Sequence, residues 1–307
     1  MIRRSVLLTG ATGFIGRHLA TDLHRRGAMV TSLQRSREAV AGVSETLTVP
    51  AFEPAAISEA LRGRRFDWLL HFAGSGVRPD DRDIEQMFAV NVDATRRLVR
   101  LAADWPAKAV FIAGSGSEYD TAGATGPVDE NHPLEHCKLY GASKAAAGLT
   151  ALAVAQASGL PLVVGRMFGV YGPGEAPHRL LPSLVRNLRS NRRVPLSAGR
   201  QSRDFLHVED VLYAVRSLTQ AAEDRQIRAA VNIATGTPHS VRSFAEIVAE
   251  ETGAPLSLLG FGDLATRPDE TMCFSGVPAR LMELTGWVPT LDLRSGIRAS
   301  IPPPGKE

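Results

Sequence analysis

The chain has 307 residues, of which 44% are hydrophobic and 22% charged, and a formal net charge of +3. This length and composition exclude a disordered chain and allow one large domain or two closely joined ones. Apolar runs stay short of the roughly 20 residues that span a bilayer, and the two cysteines, Cys137 and Cys273, exclude a disulfide framework and a CxxC metal site.

The N-terminal residues lead straight into a strand-like run, and no block of basic residues alternates with aromatic ones. We therefore expect a cytoplasmic protein that binds neither membranes nor nucleic acid, and we predict no metal ligands.

Short apolar runs alternate with helical patterns in the first half of the chain. Strands are predicted at Ser5–Thr9 and at residues 29–33, 47–49, 68–73, 109–113 and 160–165. Helices are predicted at residues 14–26, 83–103 and 138–158. Strands that are apolar throughout and separated by helices are typical of a parallel, doubly wound sheet.

After Arg166 this alternation weakens. Predicted elements in the second half are a helix at Leu180–Arg189, a sheet strand at residues 231–234, and helices at residues 244–251 and 277–284. The predicted fold class is therefore α/β. A doubly wound parallel sheet is expected from residues 1–167 and about 204–235, and a smaller C-terminal α/β lobe from about 168–203 and 236–307.

A glycine-rich segment, Thr9-Gly10-Ala11-Thr12-Gly13-Phe14-Ile15-Gly16, joins the first predicted strand to the first predicted helix. Its first glycine permits a tight turn, the second lets a pyrophosphate approach the main chain, and the third lets the helix pack on the sheet. The helix N-terminus attracts the anion. Contacts with a dinucleotide are expected from Gly10, Thr12, Gly13, Phe14, Ile15 and Gly16.

Tyr140-Gly141-Ala142-Ser143-Lys144 places a tyrosine and a lysine one helical turn apart on the same helix face. A tyrosine pKa is ordinarily near 10, and an ammonium about 4 Å away is expected to lower it by about three units. Ser115 follows a predicted strand, so it is expected at the carboxyl edge of the sheet, where it can orient a substrate oxygen. The predicted catalytic residues are Ser115, Tyr140 and Lys144. Ser117 is the alternative candidate for the role assigned to Ser115.

These segments resemble the extended short-chain dehydrogenase/reductase family of nucleotide-sugar epimerases, dehydratases and reductases. The glycine segment has the family's TGATGFIG form, and Tyr140 and Lys144 match its YxxxK signature. The resemblance implies a Rossmann-type sheet that binds a nicotinamide cofactor, which Tyr140 and Lys144 also contact. It further implies a C-terminal lobe that binds a nucleotide-sugar substrate, and a homodimer that pairs the helices at residues 83–103 and 138–158.

Residues 67–74 resemble the family's DxxxHxAA segment. This likeness implies that Asp67 steadies the adenine pocket. Relatives often have an aspartate near the adenine where this chain has Phe52, so an apolar or main-chain contact is expected there. Contacts with the adenosine are also implied for Phe72, Ala73 and Gly74. Structural roles are expected for His71, Asn91 and Trp287.

Two arginines are expected to bind the diphosphate of the substrate. Arg203 begins a close copy of the family's RDFxHVxD motif, and Arg267 resembles a later arginine of an RPGD motif. Ser117 is a further expected substrate contact. Residues 166–173 resemble the RxFNxYGP motif, but Gly169 replaces an asparagine that touches the substrate in relatives, so one contact is missing or moved.

The end of the second strand indicates which cofactor is used. Relatives that prefer NAD usually carry a carboxylate at the position of Gln34, where it holds the ribose 2′-hydroxyl. Here no negative charge repels a 2′-phosphate, and Arg35 and Arg37 can pair with it. The sequence therefore predicts NADP(H), with NAD as the alternative.

The residues before Tyr119 narrow the reaction. The family's 4,6-dehydratases carry Thr-Asp-Glu where this chain has Ser115, Gly116 and Ser117, and Glu118 lies one position too late to replace that glutamate. Simple reduction of a keto group remains, as in the 4-keto-6-deoxy-sugar reductases. A 4-epimerase with the same triad and a non-catalytic dinucleotide sensor are the alternatives.

Overall fold

The computed structural model describes residues 4–77, 81, 83–267 and 270–303. In chain order, the strands within these residues are β1 (Ser5–Thr9), β2 (Met29–Gln34), β3 (Glu45–Thr48), β4 (Trp68–His71), β5 (Ala109–Ser115), β6 (Leu162–Met167), β7 (Gly169–Tyr171), β8 (Val194–Leu196), β9 (Ser202–Arg203), β10 (Phe205–His207), β11 (Arg228–Ile233), β12 (His239–Ser240), β13 (Leu259–Phe261) and β14 (Cys273–Phe274).

The helices within the same residues are α1 (Phe14–Arg25), α2 (Pro54–Ala60), α3 (Ile84–Phe88), α4 (Ala94–Asp104), α5 (Leu139–Ser158), α6 (Leu180–Arg189), α7 (Val208–Arg225), α8 (Val241–Thr252), α9 (Ala279–Thr285) and α10 (Leu293–Ser300). A π-helical segment, Ala89–Asp93, joins α3 to α4, and short 3₁₀ turns lie at Gly116–Glu118 and Leu256–Leu258. No helix of the described residues is both long enough and apolar enough to cross a membrane.

Seven strands form one parallel sheet in the order β11-β6-β5-β4-β1-β2-β3. From β1 the chain builds outward through β2 and β3, and it then returns to β4 on the other side of β1. Ligands of open α/β sheets bind at the carboxyl ends of the strands where the order reverses in this way. The topology therefore places the candidate site beside β1 and β4, and the expected Rossmann-type sheet is confirmed.

Helices cover both faces of this sheet. On one face α1, α7 and α9 bury apolar side chains against the strands, and on the other face α2, α4 and α5 do so. Because both faces are covered, the inner strands are apolar throughout, which is the pattern that made them predictable from the sequence.

A third apolar cluster joins α6, α8 and α10 in the C-terminal part of the chain. Three small sheets accompany it: β7 with β10, β8 with β13, and β9 between β12 and β14. Since β7 pairs with β10, the predicted lobe and the predicted sheet domain share this small sheet; their exact division stays a prediction.

Candidate active site

The loop after β1 touches the loop after β4. Gly10 has a φ of +73°, and a Cβ atom built on it would lie 2.5 Å from the carbonyl carbon of Phe72. Both its conformation and this close approach therefore require glycine. Gly16, in the first turn of α1, would collide with Gly10 if it had a side chain, so this turn packs tightly on the loop. That first turn contains no acidic residue that would repel an anion.

A cleft of about 290 Å³ opens at this point of the sheet. The residues expected at the cofactor that line it are Gly10, Thr12, Gly13, Arg35, Phe52, Phe72, Ala73 and Gly74. Gln34, which the sequence places at the cofactor ribose, also lines it, and so do five residues not predicted from the sequence: Ser36, Ser75, Asp81, Gln86 and Val90. Phe14, Ile15 and Gly16 follow in the first turn of α1, and Arg37 lies outside the lining.

The end of β2 carries a free acceptor and a cation at the cleft, with a second cation, Arg37, outside its lining. The amide nitrogen of Gln34 donates to the main-chain oxygens of Ser36 and Glu38, at 3.0 and 2.7 Å. Its Oε1 is buried and has no partner among the described residues, so it can accept a hydrogen bond from a ligand hydroxyl. Arg35 and Arg37 are exposed and form no ion pair within the described part of the chain. These features fit a dinucleotide.

Asp67 lies away from the cleft, and its expected role at the adenine is wrong. It precedes β4, so it sits at the amino edge of the sheet, opposite the carboxyl edge. There its carboxylate accepts the main-chain N–H of Ser5 at 2.8 Å and pairs with Lys108 at 2.8 Å. It therefore ties the start of β1 to the start of β4.

His71 and Asn91 have structural contacts, as expected. His71 lies between the hydroxyls of Thr9 and Thr95, at 2.6 and 2.8 Å, and burial lowers its pKa to about 3, so the ring is neutral. Asn91 lies in the π-helical segment and bonds both main-chain groups of Ser75 and the hydroxyl of Ser143. It thereby holds the loop after β4 against α5.

The structure brings Ser115, Tyr140 and Lys144 together. Ser115 is the last residue of β5, and its hydroxyl accepts the N–H of Ser117 at 3.1 Å. Tyr140 and Lys144 lie in the first two turns of α5, and the Tyr140 side chain lies near enough to Ser115 for the serine hydroxyl to lower its pKa. Lys144 is buried, and its Nζ donates to the main-chain oxygen of Ala113 at 2.5 Å.

The expected lowering of the Tyr140 pKa by Lys144 is not found. Burial raises the pKa of Tyr140, the Ser115 hydroxyl opposes this rise, and the negative charge of Glu118 adds to it. Burial also lowers the pKa of Lys144, and the negative charge of Glu118 opposes that change. The physical reason is that the Lys144 ammonium bonds to a strand carbonyl, so the cost of burying the phenolate decides the direction.

Glu118 and Arg166 form a buried ion pair that sequence reasoning missed. Glu118 Oε1 accepts the N–H of Ser115 at 2.9 Å, and Oε2 accepts Arg166 Nε at 2.8 Å. Arg166 also donates to the Tyr119 hydroxyl, which in turn donates to Asn232. In the sequence, Glu118 and Arg166 each follow a predicted apolar strand, which was the available signal for their burial. Because 48 residues separate them, only the fold shows that they meet.

The two arginines expected at the diphosphate have different surroundings. Arg203, in β9, is ion-paired with Glu270 and donates to the main-chain oxygen of Thr271 at 2.7 Å. Arg267 is exposed, and its side chain has no hydrogen bond or ion pair within the described residues.

Two positions of the family motifs are explained by packing. A Cβ atom on Gly169 would lie 2.7 Å from the main-chain oxygen of Asp204, so the asparagine of relatives does not fit here without a shift. Trp287 is fully buried and its indole N–H donates to the main-chain oxygen of Asp210, which agrees with the expected packing role.

Three residues near the triad were missed as well. The rings of Phe168 and Phe274 pack against Gly116, where a Cβ atom would meet them at 2.7 and 2.8 Å. Arg179, at the N-cap of α6, acts on Tyr140 by lowering its pKa against the effect of burial, and it pairs with Glu175 at 3.4 Å. Arg179 thus brings a positive charge within electrostatic range of Tyr140.

Comparisons with known proteins agree with this geometry. Residues 6–234 match the description "NAD dependent epimerase/dehydratase family". A dTDP-6-deoxy-L-talose 4-dehydrogenase (NAD(P)(+)) of Kitasatospora kifunensis is 31% identical over 308 residues, which are 95% of this chain and 93% of the relative. A dTDP-glucose 4,6-dehydratase of Streptomyces griseus is 28% identical over 310 residues, or 96% and 92% of the two chains.

A solved structure, MoeE5 in complex with UDP-glucuronic acid and NAD, superposes with a TM-score of 0.81 at 30% identity and covers 97% of both chains. The fold, the glycine loop and the matched span lead to one conclusion. The chain belongs to the NAD dependent epimerase/dehydratase family, within the extended short-chain dehydrogenases/reductases.

Proposed function

We propose that the protein uses NADPH to reduce a keto group on a nucleotide-linked sugar, in the first place a 4-keto-6-deoxy sugar, with Tyr140 as the general acid. One observation carries this proposal. Ser115 and Tyr140 lie close together beside the dinucleotide cleft, near enough for the serine hydroxyl to lower the tyrosine pKa, whereas positions 116 and 117 hold glycine and serine in place of a dehydratase's acid and base. The relative that is 31% identical is named for dehydrogenation at position 4 of a dTDP-linked deoxysugar.

The glycine loop, the cleft behind it and Lys144 would hold the dinucleotide. When bound, the reduced nicotinamide supplies a hydride to the carbonyl carbon. The Tyr140 hydroxyl gives its proton to the carbonyl oxygen, and the Ser115 hydroxyl donates a hydrogen bond that polarises the same oxygen. The C=O bond thus becomes a CH–OH group. Lys144, one helical turn beyond Tyr140, would keep its positive charge on the same face of α5 as the tyrosine.

The direction of the Tyr140 pKa supports reduction. A phenol with the usual pKa near 10 is protonated at neutral pH, and burial raises the pKa of Tyr140 further, so its hydroxyl has a proton to give. An epimerase must first withdraw a proton from a sugar hydroxyl, which requires the phenolate. The same triad can serve a 4-epimerase, which is the alternative, and a dinucleotide sensor without turnover is the second alternative.

NADP(H) is proposed as the cofactor because Arg35 is unpaired in the described chain and lies on the rim of the cleft. The free Oε1 of Gln34 is an acceptor and suits a ribose hydroxyl, so it also accommodates NAD, the alternative. The 31% identical relative is named for NAD(P)(+), and the MoeE5 structure contains NAD.

Arg203 is proposed to bind the substrate diphosphate, with Ser117 and Arg267 as further contacts. In the structure the Arg203 guanidinium is paired with the Glu270 carboxylate. A phosphate can take the place of that carboxylate, since each presents two oxygen atoms that accept hydrogen bonds from a guanidinium. Substrate binding would then release Glu270 from Arg203.

The test is to incubate the purified protein with NADPH and a panel of nucleotide-linked 4-keto-6-deoxy sugars, and to follow the absorbance of the reduced cofactor. Steady oxidation of NADPH with one of them supports the proposal. Absence of oxidation across the panel contradicts it. Conversion of a saturated nucleotide sugar to its 4-epimer, without net change in the cofactor, would establish the alternative instead.

A further inference from the structure

A buried carboxylate lies directly behind the proposed catalytic centre and has no part in the mechanism above. Glu118 ends the 3₁₀ turn that follows Ser115 and has 0% exposed surface. Acidic residues are almost never fully buried unless they are paired. Its two oxygens accept the N–H of Ser115 and the Nε of Arg166, so each oxygen faces a donor.

The strand and the helix around Glu118 are shaped to admit it. A Cβ atom on Gly114, in β5, would lie 2.5 Å from Oε1, and a Cβ atom on Gly148, in α5, would lie 3.3 Å from Oε2. Gly148 is one helical turn beyond Lys144. The carboxylate therefore occupies space between the strand that carries Ser115 and the helix that carries Tyr140 and Lys144.

Charged and titratable groups surround Glu118 from three elements. Arg166 faces it from β6, Lys144 and Tyr140 from α5, and Tyr119 from the end of the turn. Burial raises the pKa of Glu118, but Arg166, Lys144 and the N–H of Ser115 favour the ionised form. Because neither oxygen faces an acceptor that could take a carboxyl proton, the contacts are those of a carboxylate.

We propose that Glu118 is a positioning residue of the reaction, which fixes the main chain of Ser115 and supplies the negative charge that keeps the buried Lys144 an ammonium. This inference rests on the proposed function, because it concerns how the triad works in ketoreduction. Glu118 Oε1 accepts the N–H of Ser115, and Lys144 Nζ donates to the oxygen of Ala113 two residues earlier on the same strand. The carboxylate and the ammonium therefore lie close together along β5, and the charge of Glu118 acts on Lys144. Glu118 thus contributes in two ways: its hydrogen bond positions the main chain of Ser115, and its negative charge favours the ammonium form of Lys144.

Two variants separate these contributions. Glu118→Gln keeps an acceptor for the Ser115 N–H but removes the charge. Without the charge, the pKa values of both Lys144 and Tyr140 fall, and reduction needs both groups protonated. The alkaline limb of the kcat profile should therefore move to lower pH by about one unit. Glu118→Asp keeps the charge but shortens the reach. It should lower kcat about 10- to 100-fold and leave that limb in place.

Asp210→Asn is the matched control for the loss of a buried carboxylate. Asp210 is also buried, but it bonds Thr290 and the main chain of Leu291, not the triad. This variant should lower the melting temperature without moving the alkaline limb. If Glu118→Gln alone does not fold, the double variant Glu118→Gln/Arg166→Gln avoids an unpaired buried guanidinium. Because it also removes a positive charge, its alkaline limb should move in the same direction by a smaller amount.

The outcomes are distinct. An alkaline limb of Glu118→Gln, or of the double variant, that overlays the wild type would show that Glu118 only stabilises the fold, and the inference would be overturned while the proposed function stood. A wild-type protein that reduces no keto sugar of the panel would overturn the proposed function and this inference with it.

Discussion

Lys144 Nζ donates a hydrogen bond of 2.5 Å to the main-chain oxygen of Ala113, two residues before Ser115 in β5. This bond ties the helix of the proposed general acid to the strand of its partner serine. Because Tyr140 lies one helical turn before Lys144 on α5 and close to Ser115, this bond helps to keep the three side chains together. Lys144 therefore contributes both a charge and a structural link.

Lys144→Met removes the charge and this link while keeping most of the volume. We expect turnover to fall by at least about 100-fold. NADPH affinity should fall by about 10-fold or more, the usual value of a lost charge-assisted hydrogen bond. Isothermal titration and initial rates measure the two effects. Lys138→Met, an exposed lysine just before α5, is the control and should change neither. Unchanged NADPH affinity in Lys144→Met would contradict a role at the cofactor.

Tyr140→Phe removes the transferable proton and little volume. Turnover is expected to fall by about 10²–10⁴-fold, the usual contribution of a positioned acid–base group, with NADPH binding nearly unchanged. Ser115→Ala should likewise reduce turnover and spare cofactor affinity. A Tyr140→Phe enzyme that kept more than about a tenth of wild-type turnover would place the proton donor elsewhere.

Arg35→Ala tests the proposed preference for NADP(H). A charge-assisted pair between Arg35 and a 2′-phosphate should give a preference of about 10- to 150-fold over NADH, and the variant should lose most of it. Fluorescence titration of both reduced cofactors measures the ratio. Arg65→Ala, an exposed arginine just before β4, is the matched control. Equal affinities of the wild type for NADPH and NADH would contradict the proposed preference for NADP(H).

A homodimer is proposed through α3, α4 and α5. Leu149, in α5, is 54% exposed, and Ile84, in α3, is 49% exposed, so apolar side chains are available on these helices. Leu149→Arg should convert the dimer to a monomer in light scattering at micromolar concentration. Leu256→Arg changes a similarly exposed leucine (52%) in the C-terminal part and should leave the mass unchanged. A monomeric wild type would rule the dimer out at that concentration.

Much of the central sheet could be predicted because its strands are apolar on both faces. β1 and α6 have the predicted bounds, and the remaining predicted sheet strands differ at their ends by a few residues. α7 was not predicted, although Val211, Leu212, Val215 and Leu218 recur at helical spacing and are buried. The small paired strands of the C-terminal part are two or three residues long, too short to give a periodic signal.

The candidate site was predictable where spacing along the chain fixes geometry, as for Gly10 to Gly16 and for Tyr140 with Lys144. It was not predictable where distant segments meet. The burial of Glu118 beside Arg166 and the pairing of Arg203 with Glu270 depend on the tertiary fold. The Asp67 error had a different cause: a residue before a parallel strand lies at the amino edge, away from a cofactor bound at the carboxyl edge.

The most direct test of the account is a transfer experiment with NADPH that is dideuterated at C4 of the nicotinamide. The protein is mixed with the keto sugar that the panel identifies, and the product is analysed by mass spectrometry. The account predicts one deuterium on the new carbinol carbon and one oxidised cofactor per sugar reduced, with Tyr140→Phe strongly impaired under the same conditions. Product formed without deuterium, or without net oxidation of NADPH, would contradict ketoreduction by this site.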